Sequence, residues 1–299
     1  MMKYLKWLLK FSITVALLWW VFSRIDLESV SRAIGKADKL LLALAFVPYL
    51  ASRITAAVRL TTILRAHEVG LSHYGGMHLH WISMFYGMFL PGGLGGDAYK
   101  LLRLKQHFPA QGTMLLTRIL LWDRIIGFVM LGLLAGIIGM VRFYDNPFIA
   151  AIPALALPGA GALWWSAKKW LPGIIPVLGR ILPLSFGTQV FQIICTGFLL
   201  YSMGETSHWA DYALLFLTSS IATVFPLSIG GIGVRELVYL RGSVLLGVSE
   251  PIAVTVSVLF DIIVTATAVT GAALVIWGRS ETSADSTSPG ERDAEVLLD

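Results

Sequence analysis

From Pro251 to Trp277 the chain carries one charged residue, Asp261, in a run otherwise built from aliphatic, small and aromatic side chains. Such a run fits one environment. About 20 apolar residues in a helix cross a bilayer with every backbone group satisfied internally. Comparable runs occupy 11–22, 40–64, 113–141, 149–165 and 183–203. The chain as a whole is 56% hydrophobic and 14% charged, where soluble domains carry about 25% charged residues. The fold class is therefore an all-α polytopic membrane protein with about six full spans.

Charge and cysteine content narrow the function classes. A net charge of +5 reads here as anchoring beside anionic lipid on the cytoplasmic side, and no nucleic acid partner is expected. The single cysteine, Cys195, excludes an internal disulfide and any cysteine-based metal cluster. His67, His73, His78 and His80 form a polar patch without a supporting carboxylate or cysteine. They read as interfacial histidines, so neither a metal nor a cofactor is expected. There is no G-x-x-x-x-G-K-[ST] motif, which argues against intrinsic ATP hydrolysis.

Taken in order, Lys3, Lys6 and Lys10 precede the run at 11–22. A secretory signal peptide competes with a retained first span. The bulky and charged Phe22-Ser23-Arg24-Ile25-Asp26 offers no small-x-small cleavage site, so the retained span is preferred. The span at 40–64 carries Arg53 and Arg59; an arginine at a helix centre costs about 2.5–3.5 kcal/mol on insertion scales. Arg59 lies near enough to one end to snorkel, whereas Arg53 is deeper and is expected to face a polar interior. Thr113 to Val141 holds Arg118, Asp123 and Arg124, and either arginine is placed to pair with Asp123. Lys168, Lys169 and Arg180 mark an inside loop. Arg279 to Asp299 reads as a disordered polar cytoplasmic tail, leaving 1–278 as the membrane domain with both termini cytoplasmic.

Two segments do not fit the pattern of full spans. Met77 to Leu90 covers only about 21 Å as a helix, against a hydrocarbon core of about 30 Å. It then meets Pro91-Gly92-Gly93-Leu94-Gly95-Gly96-Asp97, and a charged segment with Lys100, Arg103, Lys105 and His107 follows. Tyr212 to Phe225 leads in the same way to Pro226 and Gly230-Gly231-Ile232-Gly233-Val234-Arg235-Glu236, with Arg241 beyond. An offset of 135 residues puts Pro91 on Pro226, Gly95 on Gly230, Gly96 on Gly231 and Lys100 on Arg235. Helix, break at depth and polar return make a re-entrant hairpin, and such a break is tolerated only inside protein or beside an aqueous cavity. Repeat 1 spans about 40–141 and repeat 2 about 183–277. The single span between them inverts the second, so the hairpins enter from opposite faces, a transporter plan whose binding site lies where the tips meet. The plainer alternative is a pair of glycine-rich packing turns.

Pro91-Gly92-Gly93-x-Gly95-Gly96-Asp97, Asp123-Arg124, Gly230-Gly231-x-Gly233-x-Arg235-Glu236 and Val58-Arg59 resemble the flippase-like transmembrane region of lysylphosphatidylglycerol synthases. The resemblance extends over about residues 5 to 278. In fused members a soluble aminoacyl-transferase domain makes the lipid and the membrane region flips it. The 21 residues of the tail from 279 to 299 cannot hold such a domain. The resemblance thus implies a stand-alone lipid flippase of a prokaryotic plasma or inner membrane. Its cargo would be an anionic or head-group-modified phospholipid, an aminoacyl-lipid or a polyprenyl-linked lipid. Relatives differ in substrate, so the lipid does not carry over.

Physical chemistry assigns candidate roles within that frame. Helix starts after glycine turns present free N–H groups and a positive dipole end, which suits a phosphate. Gly95, Gly96, Gly230, Gly231 and Gly233 would shape those starts. Lys100, Arg103, Arg118, Arg124 and Arg235 would supply counter-charge, with Arg124 and Arg235 as the principal head-group contacts, and Arg53 and Arg59 are further candidates for binding the substrate. Asp97, Asp123, Glu236 and Asp261 would hold the cations in place when no lipid is bound. The competing account is structural ion pairing that locks the bundle. A membrane-embedded transferase acting on a lipid-linked substrate and a non-catalytic membrane partner are the alternative functions; a translocase rather than an enzyme is preferred.

Overall fold

The computed structural model describes residues 35, 37–89, 93–144, 151–224 and 233–277, with the backbone alone for 151–159. The proposed first span, Gly230, Gly231 and the tail lie outside them. Nine α-helices make up the described residues: α1 (Lys39–Arg65), α2 (His73–Gly87), α3 (Leu94–His107), α4 (Thr113–Arg142), α5 (Ala151–Trp170), α6 (Leu178–Ser202), α7 (Trp209–Val224), α8 (Val234–Leu246) and α9 (Glu250–Trp277). A 3-10 turn, Pro172–Val177, leads into α6. Among the described residues four stretches, Lys39–Arg65, Thr113–Arg142, Pro172–Ser202 and Glu250–Ile276, are long and apolar enough to cross a membrane.

Local chemistry sets several helix starts. Asp38 caps α1, its Oδ1 accepting from the Leu40 and Leu41 amides at 2.8 and 3.1 Å. Ser72 caps α2 by accepting from the Gly75 amide at 3.0 Å. This cap starts α2 at His73, four residues before the expected Met77, so His73, His78 and His80 lie on a helix while His67 sits in the turn after α1. His80 is buried there rather than interfacial.

The order long, short, short, long occurs twice, as α1–α4 and as α6–α9. The two lead helices run antiparallel along a shared seam: Thr55 meets Thr188 at 2.9 Å, Arg59 meets Ser185 at 3.0 Å, and the Asp38 amide donates to the Ser202 carbonyl at 2.8 Å. The α2–α3 hairpin starts where α1 ends, and the α7–α8 hairpin starts where α6 ends. Antiparallel lead helices therefore place the hairpins at opposite ends of the bundle. Each hairpin is also mounted on the long final helix of the other half, α2 on α9 and α7 on α4. The α2–α9 approach is close: a Cβ on Gly271 would stand 2.5 Å from the Trp81 carbonyl oxygen.

The apolar core is divided accordingly. One cluster joins Leu60, Ile63 and Leu64 of α1 to Leu79, Leu104, Leu116, Ile119 and Ile181. The other joins Tyr49 to Leu131, Leu134, Leu199, Phe216, Tyr239 and Phe260. Between them along the helix axes runs a polar layer: Ser52, Arg53, Thr55 and Arg59 of α1, Asp123 of α4, and Ser185, Thr188, Gln189 and Gln192 of α6. The first hairpin reaches this layer where Asp97 pairs with Arg124, the neighbour of Asp123.

Candidate functional site

The buried arginine of α1 anchors the layer. Arg59, 6% exposed, donates from Nε to Asp123 Oδ1 at 2.7 Å and from Nη1 to Ser185 Oγ at 3.0 Å. Its charge is neutralised inside the bundle, so it does not snorkel to an interface. Gln189 Nε2 reaches the Gly127 carbonyl at 3.5 Å and ties α6 to α4 one turn beyond Asp123.

The first hairpin tip stands beside this pair. Gly93 begins α3 at φ 70°, a left-handed conformation that costs glycine least. Gly96 faces α2 so closely that a Cβ would lie 2.5 Å from the Ser83 carbonyl oxygen. One residue on, Asp97 accepts from Arg124 Nη2 at 2.5 Å, and Lys100 Nζ lies 3.6 Å from its other oxygen. The Arg124 Nη2 atom also stands 3.6 Å from where a Gly93 Cβ would be. Two cations and a helix N-terminus thus converge on one carboxylate. Arg103, a turn further, bonds to the Tyr99 hydroxyl at 3.2 Å.

The second tip has the reverse polarity. Gly233 begins α8 at φ 87°, and Glu236 Oε2 accepts from its amide at 2.7 Å. Glu236 therefore caps its own helix start, where a cation partner was expected. Arg235, 8% exposed, pairs with Asp261 Oδ1 of α9 at 2.8 Å and donates to Ser219 and Ser220 of α7 at 3.2 and 3.3 Å. Its guanidinium also lies 4.7 Å from the Phe260 ring centroid. In the first half the hairpin supplies the acid and the long helix the arginine; in the second the hairpin supplies the arginine and the long helix the acid.

An aromatic bridge joins the two halves. Arg53 lies 4.9 Å over Tyr49 and bonds to Ser52 Oγ at 3.1 Å; Tyr49 meets Phe260 edge-on at 5.7 Å. Among the described residues Arg53 has no carboxylate partner. Arg118 stands apart from this layer, exposed on the first turns of α4. The expected pairing of Asp123 with Arg118 or Arg124 does not form, because Arg59 occupies Asp123 and Asp97 occupies Arg124.

Sequence reasoning missed the hydroxyls of Ser185, Ser219 and Ser220 and the ring of Phe260. Ser219-Ser220 inside an apolar arm was a usable signal; a single serine or phenylalanine in a span was not. The registration of the halves differs too. Gly93 and Gly233, the glycines that start α3 and α8, are 140 residues apart, so Arg235 corresponds at the helix start to Gly95 rather than to Lys100.

The model of the lysylphosphatidylglycerol synthase transmembrane region matches residues 7–175 and 166–271. A search of curated proteins gives no match.

Proposed function

The chain belongs to the lysylphosphatidylglycerol synthase transmembrane-region family, and from that premise we propose that it is a lipid flippase. It moves an anionic or head-group-modified phospholipid or polyprenyl-linked lipid between leaflets by alternating access of two inverted repeats. The antiparallel lead helices and the exchanged mounting of the hairpins support the inverted repeat. The family's membrane region belongs to lipid-modifying proteins, which supports a lipid as cargo. The net positive charge and the basic Lys168, Lys169 and Arg180 support a prokaryotic plasma membrane location with both termini in the cytoplasm.

The observation that carries the reading is the convergence of Arg124, Lys100 and the start of α3 on Asp97. An unpaired arginine at membrane depth costs about 2.5–3.5 kcal/mol. Asp97 neutralises Arg124 while no lipid is present, and a head-group phosphate replaces it. The exchange keeps the cation compensated throughout and so lowers the barrier to entry. Arg235 and Asp261 perform the same exchange at the other tip. Arg53, stacked on Tyr49 in the polar layer, gives the phosphate an intermediate contact.

Proteoliposomes carrying fluorescent anionic lipid in one leaflet test this. The expected result is lipid movement faster than in protein-free liposomes, with more than tenfold loss in Arg124→Ala and Arg235→Ala. Movement no faster than in protein-free liposomes, or unaffected variants, overturns the reading. Mass spectrometry of the recovered lipid separates transport from transfer chemistry, since a flippase returns its lipid unaltered.

A further inference from the structure

Arg118 has no part in the exchange at the hairpin tips. It lines a groove with a volume of about 510 Å³ between the first turns of α4 and the last turn of α5, together with Met114, Thr117, Leu121, Trp122, Lys169 and Trp170. We propose that this groove is a separate binding site for an anionic phospholipid, whose phosphate bridges Arg118 and Lys169 while an acyl chain lies on Met114 and Leu121. The site is independent of the translocation reading and holds a resident lipid rather than cargo.

Charge comes first. Among the described residues Arg118 makes no ion pair or hydrogen bond, and Lys169 makes no ion pair. The groove contains no acidic side chain, so two cations face it without local neutralisation. The Lys169 ammonium lies 5.1 Å over the Trp165 ring, which holds it at this level without consuming its charge.

Depth comes second. Trp164, Trp165 and Trp170 are 51%, 60% and 54% exposed. Exposed indoles beside lysines are the side chains that settle at the head-group level of a bilayer. That places the groove's cations where lipid phosphates lie. The apolar wall completes the match: Met114 and Leu121 are exposed, and they are seven residues apart, two turns of one helix face. An anionic head above an apolar strip is the shape of a phospholipid; free phosphate has no use for the strip.

The test uses the full chain, purified in detergent and analysed by native mass spectrometry during titration with phosphatidylglycerol and with phosphatidylcholine. Each cation near a lipid surface contributes enough that losing both weakens the phosphatidylglycerol site roughly thirtyfold. Arg118→Gln with Lys169→Gln is expected to remove one phosphatidylglycerol adduct and leave phosphatidylcholine binding as it was. Arg118→Lys with Lys169→Arg restores the adduct, and Arg180→Gln, a cation outside the groove, does not disturb it. In an Arg124→Ala background the same double change removes one further adduct, which distinguishes this site from the hairpin tips. An unchanged phosphatidylglycerol count in the double glutamine variant, or an equal loss of both lipids, overturns the proposal. Both residues are exposed, so the variants keep their fold, checked by circular dichroism.

Discussion

Asp123 and Arg124 are neighbours in the chain yet belong to different ion pairs. Asp123 accepts from Arg59 of α1 at 2.7 Å, and Arg124 donates to Asp97 of α3 at 2.5 Å. One turn of α4 therefore grips both the lead helix and the tip of the first hairpin. The first pair is buried and fixed by Ser185; the second is only partly covered. The first suits a hinge and the second a contact that opens.

Removing one member of the buried pair leaves the other charged and unpaired. Arg59→Met or Asp123→Leu alone is expected to cost about 3–5 kcal/mol. The double variant should cost less than the sum of the two, because no orphan charge remains. Unfolding of the purified protein in a double-mutant cycle measures this, and additive losses would contradict it.

Asp97→Asn removes the carboxylate shared by Arg124 and Lys100. The expected outcome is more co-purified anionic lipid together with slower movement between leaflets, since nothing then displaces the phosphate. Lipid extraction and quantification check the first effect. A fall in both bound lipid and transport would show instead that Asp97 only shapes the site.

Arg235→Lys keeps the charge and loses the fork. One ammonium cannot meet Asp261, both serines and the face of Phe260 together. The loss of a charged hydrogen-bond set is expected to cost about 1.5–3 kcal/mol and to slow transport more than tenfold. Thermal unfolding read beside the leaflet assay checks both parts.

Gly96→Ala and Gly271→Ala each drive a methyl group toward a backbone carbonyl on α2. Each should cost about 1–3 kcal/mol. Gly132→Ala meets nothing within 4 Å and should be neutral or stabilise by up to about 1 kcal/mol. A melting series of the three variants gives the ranking, and equal shifts would refute it.

The long spans were legible because their apolar runs are bounded by charge: Leu40 to Leu64 became Lys39–Arg65 and Thr113 to Val141 became Thr113–Arg142. The start of α2 was not. Gly75-Gly76 looks like loop, but Gly76 packs so tightly on Thr61 that a Cβ would lie 1.9 Å from its hydroxyl. The charged residues were legible as a set and illegible as pairs. Asp123 chooses a partner 64 residues away over the arginine beside it, because pairing depends on which helices meet. Glu236 was read as a partner for cations, yet it turns back onto its own helix start. Spacing alone does not separate a capping carboxylate from a pairing one.

Because α2 rests on α9 and α7 rests on α4, each half lends the other the wall its hairpin closes against. A half made alone would keep its hairpin's contacts with its own long helices but lose that wall, leaving Gly271 of α9 and the face of α2 it meets open to lipid. Severing the chain between α5 and α6 and producing both pieces in one cell should therefore rebuild what neither piece forms separately.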